Sequence, residues 1–217
     1  MKNLIEKNKD AFAILYRLYT EFNSHTNISS ITDEKEVYKK HFEDSLMILP
    51  YFNTNDLRLI DIGTGGGFPA LPLAIVFPKL HITAIDSVGK KIKFLELVKK
   101  ELNLDNLEPI ACRAEELAQE PRYRESYDLA LSRAVAELRM LLEYSVPFVK
   151  VNGKFIAYKK QNIEAELATA SKAIKILNCK LIDQVQYDDK QLLVFEKLKK
   201  NSNEYPRTNQ QIKKTPL

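Results

Sequence analysis

The stretch of sequence that decides the fold is LRLIDIGTGGGFPALPL, residues 57–73. An apolar run ends near Asp61, a cluster of glycines follows, and a second apolar run begins after Phe68. Glycines between a strand and a helix let the backbone approach a bound ligand closely, as in nucleotide-binding turns. The stretch therefore predicts a strand, a ligand-binding turn and a helix, in that order.

Apolar, β-branched runs alternate with segments of helical periodicity from residue 57 onwards. The predicted strands are 57–62, 81–86, 107–112, 127–132 and 153–158, and the predicted helices are 68–77, 89–103, 114–120, 136–148 and 163–177. This alternation is typical of a parallel sheet with helices on both faces. Two later runs, CKLIDQVQY and QLLVFEKLK, are separated by a short polar turn, which predicts a hairpin. We therefore expect an α/β, Rossmann-like fold with a mixed, mostly parallel sheet and an antiparallel edge.

The segments outside this alternation predict a helical cap and a basic tail. Apolar residues at three- and four-residue spacings predict a helix over 4–22, and Asp33 is placed to cap a second helix over 34–49. Residues 197–217 hold six Lys or Arg against one acid, so we expect a basic and mobile tail. The prediction is a single domain that consists of a cap (1–52), a core (57–198) and a tail (199–217).

Composition and charge exclude several classes of protein. Apolar residues make up 45% and charged residues 29% of the chain, as is usual for a soluble globular protein. No apolar stretch approaches the roughly 20 residues that a membrane helix needs, and MKNLIEKNKDAF does not resemble a signal peptide. Cys112 and Cys179 share no metal-ligand spacing and are expected as free thiols. We expect a cytoplasmic monomer with no membrane contact, and the net charge of +4 permits an anionic partner.

The spacing of the glycines distinguishes between kinds of ligand. In the dinucleotide fingerprint G-x-G-x-x-G the third glycine would be residue 68, which is Phe. No G-K-[S/T] follows, so an ATP-binding P-loop is disfavoured. The pattern present is acid-x-G-x-G-x-G, from Asp61 to Gly67, and it resembles the first motif of methyltransferases that use S-adenosylmethionine. In that motif the glycines admit the methionine and ribose portions, and the acid meets the ammonium group.

The next two predicted strands end in residues that fit the same ligand. HITAID ends in Asp86, whose carboxylate could accept hydrogen bonds from two ribose hydroxyls. The following strand ends in CRAEEL, which places Ala114 and Glu115 where an adenine could lie. A structural alternative stays open, in which the glycines form only a tight turn and Asp86 caps the helix that begins at residue 89.

The end of the fourth predicted strand, LALSRAVAEL, bears on the methyl acceptor. Enzymes for adenine N6 or cytosine N4 resemble one another in an Asn/Asp-Pro-Pro-aromatic tetrad there, whereas this chain has Ser132-Arg133-Ala134-Val135. Methylation at pyrimidine C5 needs a cysteine beside the base, and neither cysteine is well placed. No acidic cluster indicates a metal-dependent O-methyltransferase. Elimination leaves an acceptor that already has a lone pair, and guanine N7 fits.

Six segments keep their order and spacing across almost the whole chain. They are KHFEDSL (40–46), DIGTGGGFPALPLAI (61–75), DSVGKKIKFL (86–95), RAEE (113–116), SRAVAEL (132–138) and YPR (205–207). Together they resemble the RsmG (GidB) family of bacterial methyltransferases. The resemblance implies S-adenosylmethionine as cofactor, no metal, and methylation of guanine N7 in 16S ribosomal RNA at guanine 527. The RNA partner would be the small subunit or an assembly intermediate.

The same resemblance implies a set of site residues. The cofactor would be bound by Asp61, Gly63, Gly65, Phe68, Asp86, Ala114, Glu115 and Arg133. No general base is implied, and Arg133 would position the target base. The residues around the same cleft would include His41, Asp44, Ser87 and Lys159. Contacts to RNA are predicted for His41, Lys159 and Arg207. Two alternatives remain: a methyltransferase for a small molecule or protein, and a non-catalytic RNA-binding module.

Overall fold

The structure is a computed structural model that describes residues 1–52, 57–133, 135–160 and 163–217. Strands in this part of the chain form one mixed, seven-stranded sheet in the order β3-β2-β1-β4-β5-β7-β6. They are β1 (Arg58–Ile62), β2 (His81–Asp86), β3 (Leu107–Ala111), β4 (Tyr127–Arg133), β5 (Val149–Lys160), β6 (Cys179–Tyr187) and β7 (Lys190–Lys197). The predicted α/β fold with a mixed sheet is confirmed.

The chain divides into two compact units. The first consists of Met1–Leu57 and Thr64–Ala111, and the second of Arg58–Gly63 and Cys112–Leu217. The helices of the first unit are α1 (Lys2–Lys7), α2 (Lys9–Thr26), α3 (Glu34–Val37), α4 (Ala70–Val76) and α5 (Gly89–Leu102). Those of the second are α6 (Ala114–Leu117), α7 (Leu138–Ser145), α8 (Glu164–Ile176) and α9 (Asn209–Lys214). The division into cap, core and tail stays a prediction.

Aromatic side chains fill the core of the first unit. The rings of Phe12 and Phe42 lie 5.1 Å apart between centroids, and those of Tyr19 and Phe94 lie 6.5 Å apart. All four side chains are fully buried. Because burial of one large apolar side chain stabilises by about 1.5–3 kcal/mol, this cluster fixes α2 against α5.

The helix predicted over 34–49 differs from the observed structure. Asp33 caps α3 as predicted, since its carboxylate accepts a hydrogen bond of 3.0 Å from the Glu36 amide. The α-helix ends after one turn, and a π-helix (Tyr38–Glu43) and a 3₁₀ helix (Leu46–Tyr51) follow. Pro50, which has no amide proton to donate, lies inside the last segment. Periodicity indicated helical structure here but not its type.

The second unit contains both parallel and antiparallel pairing. β4 is parallel to β1 and β5, whereas β7 is antiparallel to β5 and β6. The predicted hairpin is confirmed as β6 and β7, and Asp188 in its turn has a left-handed φ of 51°. Phe155 and Phe195, fully buried on adjacent strands, stack at 6.1 Å between ring centroids.

The C-terminal residues differ from the predicted mobile tail. Thr208 and Gln211 form a capping box at the start of α9, and Ile212 of that helix is fully buried. Leu217 is only 7% exposed. The tail is therefore basic, as predicted, but it is folded and packed. Its buried apolar residues, Pro206, Ile212 and Leu217, are too few to produce a helical period in the sequence.

Among the described residues, we find no helix with the length and apolar character that would allow it to cross a membrane.

Candidate functional site

The glycine turn of the first unit is held by backbone hydrogen bonds. The Thr64 amide donates to the Ile85 carbonyl of β2, and the Gly67 amide donates to the Thr64 carbonyl, both at 2.9 Å. Gly65 and Gly67 have φ of 60° and 82°, and a Cβ on Gly67 would lie 2.3 Å from Leu71 Cδ1. The turn itself thus requires glycine.

Thr64 in the same turn was not among the site residues that the sequence indicated. Its buried hydroxyl lacks a hydrogen-bond partner among the described residues.

Asp86 ends β2 and connects the glycine turn to α5. Its side chain is 6% exposed, and its Oδ1 accepts a hydrogen bond of 2.9 Å from the amide of Val88, the N-cap residue of α5. Its Oδ2 accepts from the Gly65 amide at 3.0 Å and from Lys91 Nζ at 3.2 Å. Asp86 therefore holds the residue that precedes α5 but does not cap the helix, because the N-cap residue is Val88 and it has no side-chain cap bond. The same carboxylate also fixes the turn predicted to bind the cofactor. The sequence indicated Asp86 but not its partner Lys91.

His41 packs against the glycine turn through Phe68. The two rings are stacked, with centroids 4.5 Å apart and an interplanar angle of 6°. His41 is 6% exposed, and its Nε2 lies 3.1 Å from Ser29 Oγ. Of the other residues predicted to surround the cleft, Asp44 is buried and Ser87 is exposed. The geometry gives His41 a supporting role beside Phe68, and its predicted contact with RNA stays a prediction.

In the second unit, Asp61 and Gly63 lie at the carboxyl end of β1. Asp61 is fully buried and stands opposite Leu131 of β4 in the strand register. Gly63 has φ of 68°, and a Cβ there would lie 2.5 Å from Cγ2 of the exposed Val135. The position therefore disfavours any side chain, as the motif predicted.

The end of β4 is fixed to β1 by a side chain. The buried Ser132 hydroxyl donates a hydrogen bond of 2.9 Å to the Ile62 carbonyl. Arg133, which is half-buried, is the last residue of β4 and stands opposite Tyr158 of β5. The predicted motif continues through Ala134, which lies outside the described residues. Ser132 is thus a structural residue, and Arg133 is the predicted site residue of this strand.

Glu115 carries a buried acceptor in the second unit. It is 8% exposed in α6, next to the half-buried Ala114, and its Oε1 has no hydrogen-bond partner among the described residues. A buried polar atom in this state costs about 1–3 kcal/mol. Burial raises the pKa of the Tyr144 phenol, and the charges of Glu115 and Glu143 raise it further. The free oxygen suits a hydroxyl or amino donor from a ligand.

The two other residues predicted to contact RNA have partners inside the second unit. Lys159 Nζ lies 2.6 Å from Glu166 Oε2 and donates a hydrogen bond of 3.0 Å to the Ala136 carbonyl. Arg207 donates from Nε and Nη2 to the carboxylate of Glu143 at 2.8 and 2.7 Å, and Glu143 is fully buried. Such a two-point ion pair is geometrically specific. The RNA contacts of both residues stay predictions.

Both cysteines are free, as predicted. Burial raises the pKa of the Cys112 thiol to about 11, with Glu116 and Glu115 contributing, and burial raises that of Cys179 to about 12. Both thiols are therefore protonated at neutral pH, which disfavours a thiolate nucleophile. The described residues contain no group of three or more His, Cys, Asp or Glu that could hold a metal ion.

A family model described as GidB, rRNA small subunit methyltransferase G, matches residues 8–194. The chain belongs to this family. This member is 40% identical over 221 residues to Ribosomal RNA small subunit methyltransferase G of Streptococcus equi subsp. zooepidemicus, covering 99% of this chain and 93% of the relative. It is 41% identical over 224 residues to the protein of that name in Brevibacillus brevis, with the same coverage. The predicted family resemblance is confirmed.

A solved structure shows a similar fold at low sequence identity. The crystal structure of M. jannaschii TYW2 in complex with AdoMet has a TM-score of 0.58 and 16% identity, and the match covers 78% of this chain and 80% of that chain. The likeness confirms the predicted Rossmann-like methyltransferase fold.

Proposed function

We propose that this chain transfers a methyl group from S-adenosylmethionine to guanine N7 of 16S ribosomal RNA, at guanine 527. The observation that carries the proposal is the family match over residues 8–194, with named relatives aligned over 99% of the chain. The residues proposed to bind the cofactor are Asp61, Gly63, Gly65, Phe68, Asp86, Ala114, Glu115 and Arg133.

The residues present fit this cofactor. Glu115 Oε1 is a buried acceptor without a partner among the described residues, and an adenosine offers hydroxyl and amino donors. Gly63 and Gly65 adopt left-handed φ and carry no side chain that would obstruct a ligand. When bound, S-adenosylmethionine supplies an electrophilic methyl group on a sulfonium. The role of this chain is to hold that group and the acceptor base in line and to exclude water.

Guanine N7 is an acceptor that suits the side chains of the second unit. Its lone pair carries no proton, so methyl transfer needs positioning and desolvation but no general base. The raised pKa values of Cys112 and Cys179 keep both thiols neutral, and the Ser132 hydroxyl is already donated to a β1 carbonyl. We assign Arg133 the task of positioning the base, which must reach the enzyme unstacked.

The proposed partner is ribosomal RNA in the cytoplasm, within the small subunit or an assembly intermediate, and the chain acts as a monomer. Phosphate contacts by Lys159 and Arg207 would require release of Glu166 and Glu143. Exposed lysines on α5, such as Lys100, do not carry that cost. RNA affinity should fall steeply with salt, since each phosphate contact releases counterions.

Single-turnover methyl transfer to small subunits and to protein-free 16S RNA tests the proposal. The rate should be nearly flat between roughly pH 6.5 and 9, because no general base titrates. The product carries a fixed positive charge on its imidazole ring, so borohydride followed by aniline should cut the RNA at that nucleotide. A rate that rises tenfold per pH unit, or RNA that resists scission, would exclude N7. Transfer only to protein or small molecules would exclude RNA as the substrate.

A further inference from the structure

The Asp86 carboxylate is almost saturated by donors from its own unit. A carboxylate offers about four lone-pair sites, two on each oxygen. Oδ2 accepts from the Gly65 amide and from Lys91 Nζ, and Oδ1 accepts from the Val88 amide. After these contacts with described residues, a single site remains, on Oδ1. The two adjacent hydroxyls of a ribose bring two donors, so one existing contact must be released before both hydroxyls can bind.

Lys91 is the contact that can be released at the lowest cost. The other two donors are backbone amides at 3.0 and 2.9 Å, and their release would disrupt the glycine turn and the start of α5. Lys91 reaches Asp86 at 3.2 Å, the longest of the three distances, through a flexible side chain that is 29% exposed. Its ammonium group can return to water by rotation of the side chain alone, whereas release of either amide requires a movement of the backbone.

We propose that Lys91 is a positioning residue that occupies the ribose position on Asp86 and is displaced when the cofactor binds. This rests on the proposed function, in which Asp86 binds the ribose. Lys91 keeps the carboxylate oriented and partnered in the free protein, and it competes with the cofactor for Oδ2. Because a ligand that must first displace an internal contact binds with reduced apparent affinity, Lys91 lowers cofactor affinity. Partly exposed ion pairs are weak, so the expected effect is about 2- to 5-fold.

The competition has a signature that distinguishes it from simple charge repulsion. It depends on the ribose hydroxyls, which S-adenosylmethionine and its demethylated product S-adenosylhomocysteine share. Repulsion between the Lys91 ammonium and the sulfonium would instead affect only S-adenosylmethionine, because the product carries a neutral thioether. Equal gains for both ligands would therefore exclude repulsion by the sulfonium, and they are the result expected if Lys91 competes with the ribose.

Isothermal titration of Lys91→Met with both ligands is the first test. We expect affinity to rise about 2- to 5-fold for both, with an unchanged thermal midpoint. Lys93→Met, which removes an exposed lysine from the same helix, should bind as the parent does. Unchanged or weaker binding by Lys91→Met, or a gain confined to S-adenosylmethionine, would overturn the proposal. An equal gain in Lys93→Met would also overturn it, since the effect would then be general electrostatics.

Adenosine and 2′,3′-dideoxyadenosine provide the second test. The gain in Lys91→Met should appear with adenosine and be absent with the dideoxy analogue, which has no ribose hydroxyls to place on Asp86. Asp86→Asn separates this proposal from the proposed function. Weaker cofactor binding in Asp86→Asn, together with no gain in Lys91→Met, would reject the role of Lys91 alone. Unchanged binding in a folded Asp86→Asn protein would reject the ribose assignment and the Lys91 proposal with it.

Discussion

Glu115 and Glu116 are adjacent residues of α6 in opposite environments, so a substitution of Glu116 can serve as the control for the same substitution of Glu115. Glu115 is buried with an unpartnered oxygen, whereas Glu116 is exposed. Glu115→Gln keeps the shape and removes the charge, so we expect about a tenfold loss of S-adenosylmethionine affinity, equivalent to about 1.4 kcal/mol. Calorimetry on the folded variant measures this. Glu116→Gln should bind normally, and equal affinities of the two variants would remove Glu115 from the site.

The carboxylates of the candidate site were predictable, whereas their partners were not. Asp61 and Asp86 follow apolar runs, so their places at strand ends could be inferred from pattern alone. The bond from Lys91 to Asp86 and the stack of His41 on Phe68 join residues whose proximity depends on the folded chain. Sequence spacing carries no information about such tertiary contacts. A lysine on an amphipathic helix is therefore easily taken for a solvated side chain.

Gly67 and Gly89 lie just before or at the start of helices α4 and α5, and their surroundings differ, so substitutions at the two positions can be compared. Gly67→Ala should lower the free energy of unfolding by roughly 1–3 kcal/mol, because φ is 82° and the new Cβ would lie 2.3 Å from Leu71 Cδ1 at the start of α4. Gly89 begins α5 and has open space around the Cβ position. Gly89→Ala should be neutral or slightly stabilising in the same urea titrations. Comparable losses in both variants would contradict a strained turn.

The tail and α7 are connected by Arg207 and Glu143. Arg207→Met would leave the fully buried Glu143 carboxylate without its cation, and we expect a loss of about 3–5 kcal/mol in the free energy of unfolding. Lys213→Met, at an exposed position of α9, is the control and should change stability little. Urea unfolding and RNA binding should be measured together. Intact stability with reduced RNA affinity would identify Arg207 as a phosphate contact instead.

The first four strands were predicted closely, whereas β5 begins four residues before its predicted bound and the short helical pieces were missed. Each strand from β1 to β4 begins and ends within one residue of its predicted bounds, because β-branched runs bounded by turns are a local signal. The break at Asn8 between α1 and α2, and α9 in the tail, were missed. α9 has six residues and one buried side chain, so the capping box and tertiary packing determine it more than periodicity does.

The stability of the whole molecule should depend on pH through the ion pair between the buried Lys197 and the half-buried Glu125. Burial alone would raise the pKa of Glu125, but hydrogen bonds from Lys197 Nζ and the Asn201 amide outweigh it and hold this pKa below its usual value of 4.5. Burial lowers the pKa of Lys197, and Glu125 partly offsets this. Because the carboxyl pKa is lower in the folded state, its stabilisation is complete above pH 4.5 and is lost as pH falls through the folded value.

Urea midpoints at a series of pH values measure this dependence. Glu125→Gln should be less stable than the parent at pH 7, and the difference should shrink as pH falls below about 4.5. Glu120→Gln, at an exposed position, should follow the parent throughout. A difference between Glu125→Gln and the parent that does not change with pH would mean that the ionised carboxylate contributes nothing to stability.

The packing of Leu217 has a practical consequence for producing the protein. Its side chain is 7% exposed, whereas Met1 is 42% exposed. A purification tag or fluorescent protein fused after Leu217 would begin beside a buried side chain. It could displace a segment that is held in place by Arg207 and Ile212. The same addition before Met1 meets open solvent. Labels for binding or single-molecule work therefore belong at the amino end.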